Sequence, residues 1–342
     1  MARPRRLNME TVVLNPTFNS TRANPVSARR DSGVVLLSVL LIVALLAAVA
    51  YQLLARHSLT VAQARYSFGS DQSLAYALGA ESLARQVLFE DWSQSGQGVD
   101  NLLETWAQPL APFEIENGLL EVQVRDMHRC FNLNSLAGNE AKGNLERLKT
   151  LLRNSNVPET LANTWQDWVD ADDSITGFGA EDGDYLLLDR AYRTANQRAG
   201  HVSEFNLIVG FETDYLETLG DVLCVIPSDS LRLNINTVSA EVLASLSPNL
   251  TAPQMQGLVE VERRYTAVSE VVTEFPDLAG AVDALTVTSE YFEVQVRAVV
   301  DGSVTELTSL LHRDPNNGSL TVIVRDLGRD FRSLFQATPT ST

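Results

Sequence analysis

Immediately after Gly33 the chain runs through 21 almost uniformly apolar positions, Val34 to Leu54, and no charged residue occurs between Asp31 and Arg56. A helix of that length rises about 31 Å, matching the roughly 30 Å hydrocarbon core of a bilayer. The pattern therefore predicts one membrane-spanning helix. Beyond it the apolar positions narrow to a stripe, with Tyr76, Ala80, Leu83 and Val87 at i, i+4, i+7 and i+11, and no proline intervenes before Pro109. That spacing predicts that the helix continues with one apolar face. It is expected to end near Trp92, because Gly96 and Gly98 sit in a polar Ser/Gln/Gly stretch that breaks helices.

The period then changes from helix to strand. Phe113 to Arg125 alternates around Asn117-Gly118, which predicts a hairpin with an Asn-Gly turn, and Tyr291 to Val300 runs into Asp301-Gly302 in the same way. Glu121 to Arg125 and Glu293 to Arg297 are the same five letters, Glu-Val-Gln-Val-Arg, and Ser319 to Arg325 reads as a further strand. About 245 residues follow Gly96, more than the 100 to 200 or so expected of one domain. The simplest architecture is one antiparallel sheet whose strands flank a large helical insertion, roughly residues 131–285.

Charge sets the direction across the membrane. Residues 1–33 carry six Arg against Glu10 and Asp31, net +4, while the whole chain is at -17, which leaves -21 beyond the leader. By the positive-inside rule the N-terminus stays cytoplasmic and the remainder is exported. A secretory signal would place its cleavage site after the apolar run, but here the only small residue at a charge-to-apolar junction is Gly33, before that run.

The densest chemistry lies within the insertion. From Asp167 to Asp189 there are eight carboxylates and no Lys or Arg. Counting Asp170 as position 1 puts Asp172 at 3, Ser174 at 5, Thr176 at 7 and Glu181 at 12, the oxygen-ligand spacing of an EF-hand loop. The match departs at position 6, where Ile175 replaces the required Gly, so the same hard-cation chemistry is expected without the EF-hand fold. Clustered carboxylates repel one another unless a divalent cation neutralises them, and flexible oxygen ligation suits Ca²⁺ better than Mg²⁺. Asp170, Asp172, Glu181, Asp182 and Asp184 are the candidate ligands, with Glu181 bidentate. A solvated acidic loop is the bland alternative. A catalytic carboxylate pair in a membrane-anchored periplasmic hydrolase would explain two acids and leave six unused.

Other chemistry is sparse. His57, His128, His201 and His312 are scattered, and Gly-x-Ser-x-Gly and Walker loops are missing. Cys130 and Cys224 are the only cysteines. Both fall in the exported part, where they are either bonded or buried as free thiols. Asn234 to Leu243 opens a unit running to Leu278 that resembles a helix-hairpin-helix or SAM-like fold, with Thr237 or Ser239 as helix N-cap. The Gly-rich phosphate-binding turn of DNA-binding hairpins is replaced by Ser247-Pro248-Asn249-Leu250, and a charge of -21 repels a polyanion. A competence-type DNA receptor is thereby disfavoured, and no nucleic-acid partner is expected.

A basic leader, Gly33 and an uncut hydrophobic helix resemble a type IV prepilin or pseudopilin, in which a prepilin peptidase cuts after the Gly and methylates the new N-terminus, here Val34. Most members carry Glu at the fifth mature position; here it is Ser38. That departure points to the K-type minor pseudopilins of type II secretion. Their motif series is similar to Asp167-Trp-Val-Asp-Ala-Asp-Asp173, Gly179-Ala-Glu-Asp-Gly-Asp-Tyr185, Tyr192, Asn196, Ser203-Glu204, Asn132-Leu-Asn134 and Leu233-Asn-Ile-Asn236-Thr237.

The resemblance implies an α+β, pilin-like fold: a long N-terminal α-helix, transmembrane in its first half, packed on an antiparallel β-sheet, with a large α-helical insertion including a SAM/helix-hairpin-helix-like unit. The expected segments are a removed leader (1–33), the helix (34–95), a sheet (96–130 and 286–330), an insertion with a structural calcium loop (131–225) and the SAM-like unit (226–285). It implies an inner-membrane subunit with a periplasmic head and no catalysis, placed at the tip of the pseudopilus. Its implied partners are the I- and J-type minor pseudopilins, the H-type next below, the major pseudopilin and the prepilin peptidase, with secreted substrates as further candidates.

Overall fold

The computed structural model describes residues 31–95, 99–108, 110–212, 214–260 and 262–328. All but the last three residues of the expected leader lie outside that range, as do Gly96, Gly98 and the end of the 286–330 segment. The chain divides into two compact units, Met1–Ala64 and Arg65–Thr342.

Helix α1 spans Asp31–Ser95, three residues past Trp92 and ending with the expected 34–95 segment. In the first unit its side chains are exposed all round, and its most apolar window has a mean hydropathy of 3.0 with 0% buried. That is the surface of a helix built for lipid or for other helices.

In the second unit the elements follow as β1 (Phe113–Ile115), β2 (Gly118–Asp126), β3 (Phe131–Asn132), α2 (Ala141–Asn154), α3 (Thr160–Val169), α4 (Asp182–Tyr185), α5 (Asp214–Leu219) and β4 (Leu223–Cys224). Then come β5 (Leu233–Asn234), α6 (Ala240–Ala244), α7 (Ala252–Val259), α8 (Val268–Glu274), β6 (Leu285–Thr286), β7 (Tyr291–Val300), β8 (Ser303–Arg313) and β9 (Leu320–Leu327). Strands β1, β2, β7, β8 and β9 form one antiparallel sheet in that order.

The repeated pentapeptide pairs with its own copy. Across β2 and β7, Glu121 faces Arg297, Gln123 faces Gln295 and Arg125 faces Glu293, while Val122 and Val124 face Val296 and Val294. An antiparallel pairing of Glu-Val-Gln-Val-Arg with itself sets opposite charges across from each other at both ends and puts the valines on one face. Those valines join the core beneath α1.

The two hairpin turns differ. Asp301 and Gly302 form the β7–β8 loop with φ of 48° and 82°, the type I′ geometry expected of Asp-Gly. In the first hairpin Ile115 pairs with Gly118, so the loop is Glu116-Asn117 and not Asn117-Gly118. Asn117 alone takes positive φ, 59°. Gly118 serves another need: a Cβ there would lie 1.8 Å from the Val299 carbonyl oxygen of the neighbouring strand.

The buried seam of α1 is also rotated from the expected stripe. Ala77, Ala80, Ala84 and Leu88 pack on Phe292, Val294, Val296 and Leu311, whereas Leu83 is 55% exposed and Tyr76 and Val87 are half-buried. Alanines at these positions let the helix backbone lie close to the sheet, so bulk comes from the strands.

A second core, centred on Trp165, Tyr185, Phe131 and Phe205, fills the helical region between β3 and β6. Two short parallel strand pairs, β3 with β4 and β5 with β6, frame it. Each is followed by an Asn that clamps a distant peptide. Asn134 Oδ1 accepts from Ala199 N at 2.8 Å while its Nδ2 donates to the Ala199 and Ile226 carbonyls. Asn236 does the same at Tyr265, accepting from N at 2.9 Å and donating to O at 3.0 Å. Of the two N-cap candidates for α6, Ser239 takes the position, accepting from Val242 N.

Candidate functional site

The acidic loop begins where α3 ends. Asp167, in the last turn of α3, is fully buried; its Oδ1 accepts from Thr176 N at 3.0 Å and its Oδ2 has no hydrogen-bond partner. Asp170 caps the same helix, and its Oδ1 is likewise buried without a partner. Across the loop Glu181, also buried, accepts from Thr194 Oγ1 on Oε2 and leaves Oε1 partnerless. Asn196, held at a φ of 44°, donates to the Asp172 carbonyl and to Asp173 Oδ1, so its own Oδ1 is the fourth orphaned oxygen.

The carboxylates act on one another. Burial, then the charges of Asp172, Asp167 and Glu181, push Asp170 up to about 7. Asp167 and Glu181 are also raised, chiefly by burial. Buried polar atoms in folded proteins are nearly always partnered, so four orphaned oxygens in one loop ask for a ligand. All four are hard donors, three of them acidic, which fits calcium. Behind them Trp168, Tyr185 and Tyr192 form an aromatic wall, with ring centroids 5.4 Å apart for Trp168 and Tyr185 and 5.3 Å for Tyr185 and Tyr192. Trp168 Nε1 donates to Glu204 Oε2 at 3.2 Å, which ties that wall to the following segment.

Of the five expected ligands, Asp172 and Glu181 act electrostatically on Asp170, and Asp172 Oδ1 accepts from Ser174 N. Asp182 and Asp184 have other partners. Asp182 accepts from Thr194 N and Oγ1 and pairs with Arg193; desolvation is the largest single influence and raises its carboxyl, but these bonds and the Arg193 charge together hold it below the usual value. Asp184 closes a capping box on α4, accepting from Glu181 N at 3.2 Å. Asp167 and Asn196 were not among the expected ligands. Asp167 precedes Asp170 by three residues on the same helix face, but the EF-hand count began after it.

Cys130 and Cys224 are joined in a disulfide with Cα atoms 5.8 Å apart, beside the β3–β4 pair. Gly33 and Val34 lie in the first turns of α1, with Val34 exposed. At the fifth position after Gly33, Ser38 Oγ donates to its own helix at the Val35 carbonyl, 2.8 Å away.

Comparison with known proteins gives a consistent result. The family described as "Type II secretion system (T2SS), protein K" matches residues 129–228, which contain the acidic loop and both cysteines. Type II secretion system protein K of Pseudomonas aeruginosa is 33% identical over 318 residues, covering 88% of this chain and 94% of the relative. That of Pectobacterium carotovorum is 31% identical, covering 83% and 93%. Among solved structures, a chain of the GspK-GspI-GspJ complex from the enterotoxigenic Escherichia coli type 2 secretion system superposes with a TM-score of 0.70 at 24% identity, covering 79% of this chain and 99% of that one. These relatives are named as parts of a secretion apparatus rather than as enzymes. With an N-terminal helix long and apolar enough to span a membrane, a five-stranded antiparallel sheet and identity of this extent to protein K relatives, the chain belongs to the type II secretion system protein K family, the K-type minor pseudopilins.

Proposed function

We propose that this minor pseudopilin is cut after Gly33 by a prepilin peptidase, methylated at Val34, and placed at the tip of the pseudopilus, where it starts or caps assembly. Its anchor lies in the inner membrane with the head in the periplasm, as the +4 leader favours. Its neighbours are I- and J-type minor pseudopilins, the partners named with the solved relative, with the H-type and then the major pseudopilin below.

The observation that carries the tip position is Ser38. Its hydroxyl is satisfied within α1, so this position offers no carboxylate to the amine of another subunit. A subunit with nothing above it has no such amine to neutralise. The calcium reading is supported by the orphaned oxygens of Asp167, Asp170, Glu181 and Asn196. Bound calcium would supply charge neutralisation alone, pinning the loop to α3 as a structural device. The chain's own residues contribute packing and recognition rather than turnover.

The test is coexpression with and without a prepilin peptidase, followed by mass spectrometry of the N-terminus. A methylated N-terminus at Val34 that depends on the peptidase is the expected result. An intact leader, or a cut beyond Leu54, would sink the proposal.

A further inference from the structure

A second group of carboxylates sits away from the acidic loop, where α1 ends. Asp91, Asp100 and Glu104 each bring one carboxylate oxygen to within 4.8 Å of the other two. Asp91 belongs to the last turns of α1, and the other two to the segment that follows. Asp100 is 0% exposed, while Asp91 and Glu104 are half-buried.

Their partners leave a specific deficit. Asp100 Oδ2 accepts from Ser289 N at 2.7 Å and from Arg313 Nη2 at 2.5 Å, but Asp100 Oδ1 has no partner. Asp91 Oδ2 is also buried and partnerless. Glu104 is fixed in place by Asn101 N, Asn101 Nδ2 and Trp106 Nε1, the last two at 2.7 Å. Among the described residues the cation paired into the group is Arg313, itself 2% exposed and donating also to Ser289 O. Three carboxylates against one guanidinium leave two negative charges in a largely dry place. Two charges are what one divalent cation supplies.

We propose that Asp91, Asp100 and Glu104 form a second site for a hard divalent cation, calcium by preference, with the orphaned Asp100 Oδ1 and Asp91 Oδ2 as inner ligands. Calcium's flexible geometry tolerates carboxylates already fixed by protein partners, as Asp100 and Glu104 are, better than magnesium's near-ideal octahedron does. The exposed sides of Asp91 and Glu104 admit the waters that complete its shell. Burial raises the carboxyls of Asp91 and Glu104 and takes Asp100 up to about 7. Through Asp100, Ser289 and Arg313, such an ion ties the end of α1 to β8 and the approach to β7. It does so independently of the acidic loop.

The experiment uses the full chain in detergent with calcium alone as ligand. In a variant whose acidic loop is disabled by Asp170→Asn and Glu181→Gln, bound calcium is counted by equilibrium dialysis at neutral pH. Terbium is then substituted and excited through tryptophan, since Trp106 bonds Glu104 directly. The expected result is about one remaining equivalent of calcium, lost or weakened at least tenfold by Asp91→Asn, together with loss of terbium emission. Glu104→Gln should act in the same direction, and circular dichroism confirms that each variant is folded. A folded loop-disabled variant that binds no calcium, or binding untouched by both Asp91→Asn and Glu104→Gln, would overturn the proposal. In the variant with an intact loop, Asp91→Asn removes one equivalent while loop binding persists, so the two sites fail or succeed separately.

Discussion

Glu81 of α1 and Arg325 of β9 meet in a bidentate ion pair, with Arg325 Nε 2.6 Å from Oε2 and Nη2 2.9 Å from Oε1. Ser309 Oγ donates a third bond at 2.7 Å. Glu81 is 2% exposed on the seam that α1 lays against the sheet, while the Arg325 side chain is 47% exposed. The pair therefore ties the anchor helix to the last strand. Removing the arginine leaves a buried carboxylate with one hydroxyl partner. Arg325→Met is expected to cost about 2 kcal/mol, and Glu81→Met with Arg325→Met to recover most of it, because the buried charge is then gone. Urea unfolding of the three variants checks this.

The same pair predicts an acid dependence. Burial works to raise the Glu81 carboxyl, but hydrogen bonds from Arg325 and Ser309 and the charges of Arg325 and Arg85 outweigh it and hold the group below 4.5. A lowered carboxyl favours the folded state above the unfolded value and loses that contribution as pH falls through the folded one. Stability should therefore drop on acidification below about pH 4.5, and Glu81→Gln should flatten that limb. An identical pH slope in the two proteins would count against the assignment.

The self-paired pentapeptide offers a charge test. Arg297 lies opposite Glu121 and also 3.4 Å from Glu306 on β8. Arg297→Glu sets three acids side by side and is expected to lower stability by about 1 kcal/mol. Glu121→Arg in the same chain should restore part of the loss. Thermal melts of the two singles and the double measure the coupling.

Gly318, in the β8–β9 turn, has a φ of 70°, and a Cβ there would lie 2.3 Å from the Trp92 ring. Both constraints oppose any side chain. Gly318→Ala is expected to cost roughly 2–3 kcal/mol through backbone strain and displacement of the ring. A fall in thermal midpoint with altered near-ultraviolet circular dichroism is the signature.

In the acidic loop, Asp167→Asn and Asn196→Ala should each weaken calcium binding tenfold or more, since each removes an orphaned oxygen. Asp184→Asn should change affinity less, because that carboxylate serves the helix cap. Calcium titration by calorimetry separates the two outcomes.

How much of this was legible follows from how local each cause is. The Asp301-Gly302 turn was readable because positive φ is a demand on two adjacent residues. The Asn117-Gly118 pair misled by one position: Gly118 answers to Val299 on another strand, which no local reading contains. Leu83 was expected inside because it is apolar, yet Ala80 and Ala84 take the seam, since close approach to the sheet rewards small side chains.

The candidate site divides in the same way. Spacing within one acidic run picks out Asp170, Asp172 and Glu181 as candidates. Asn196 becomes a candidate ligand only because the chain returns past Asp172 and Asp173, while Asp182 is engaged by Arg193 and Thr194.

Composition and order along the chain are enough to predict an apolar helix behind a basic segment, strands on both sides of a helical insertion, and a concentration of acid in one loop. Those are consequences of transfer energy, periodicity and charge density, which act within a few turns or across a whole segment. Folding settled which face of α1 is buried, which carboxylates stand together, that Cys130 meets Cys224, and that Asp91, Asp100 and Glu104 share a place with Arg313. Each of those depends on desolvation by residues far away in sequence, and burial has no value until the surrounding elements are in position.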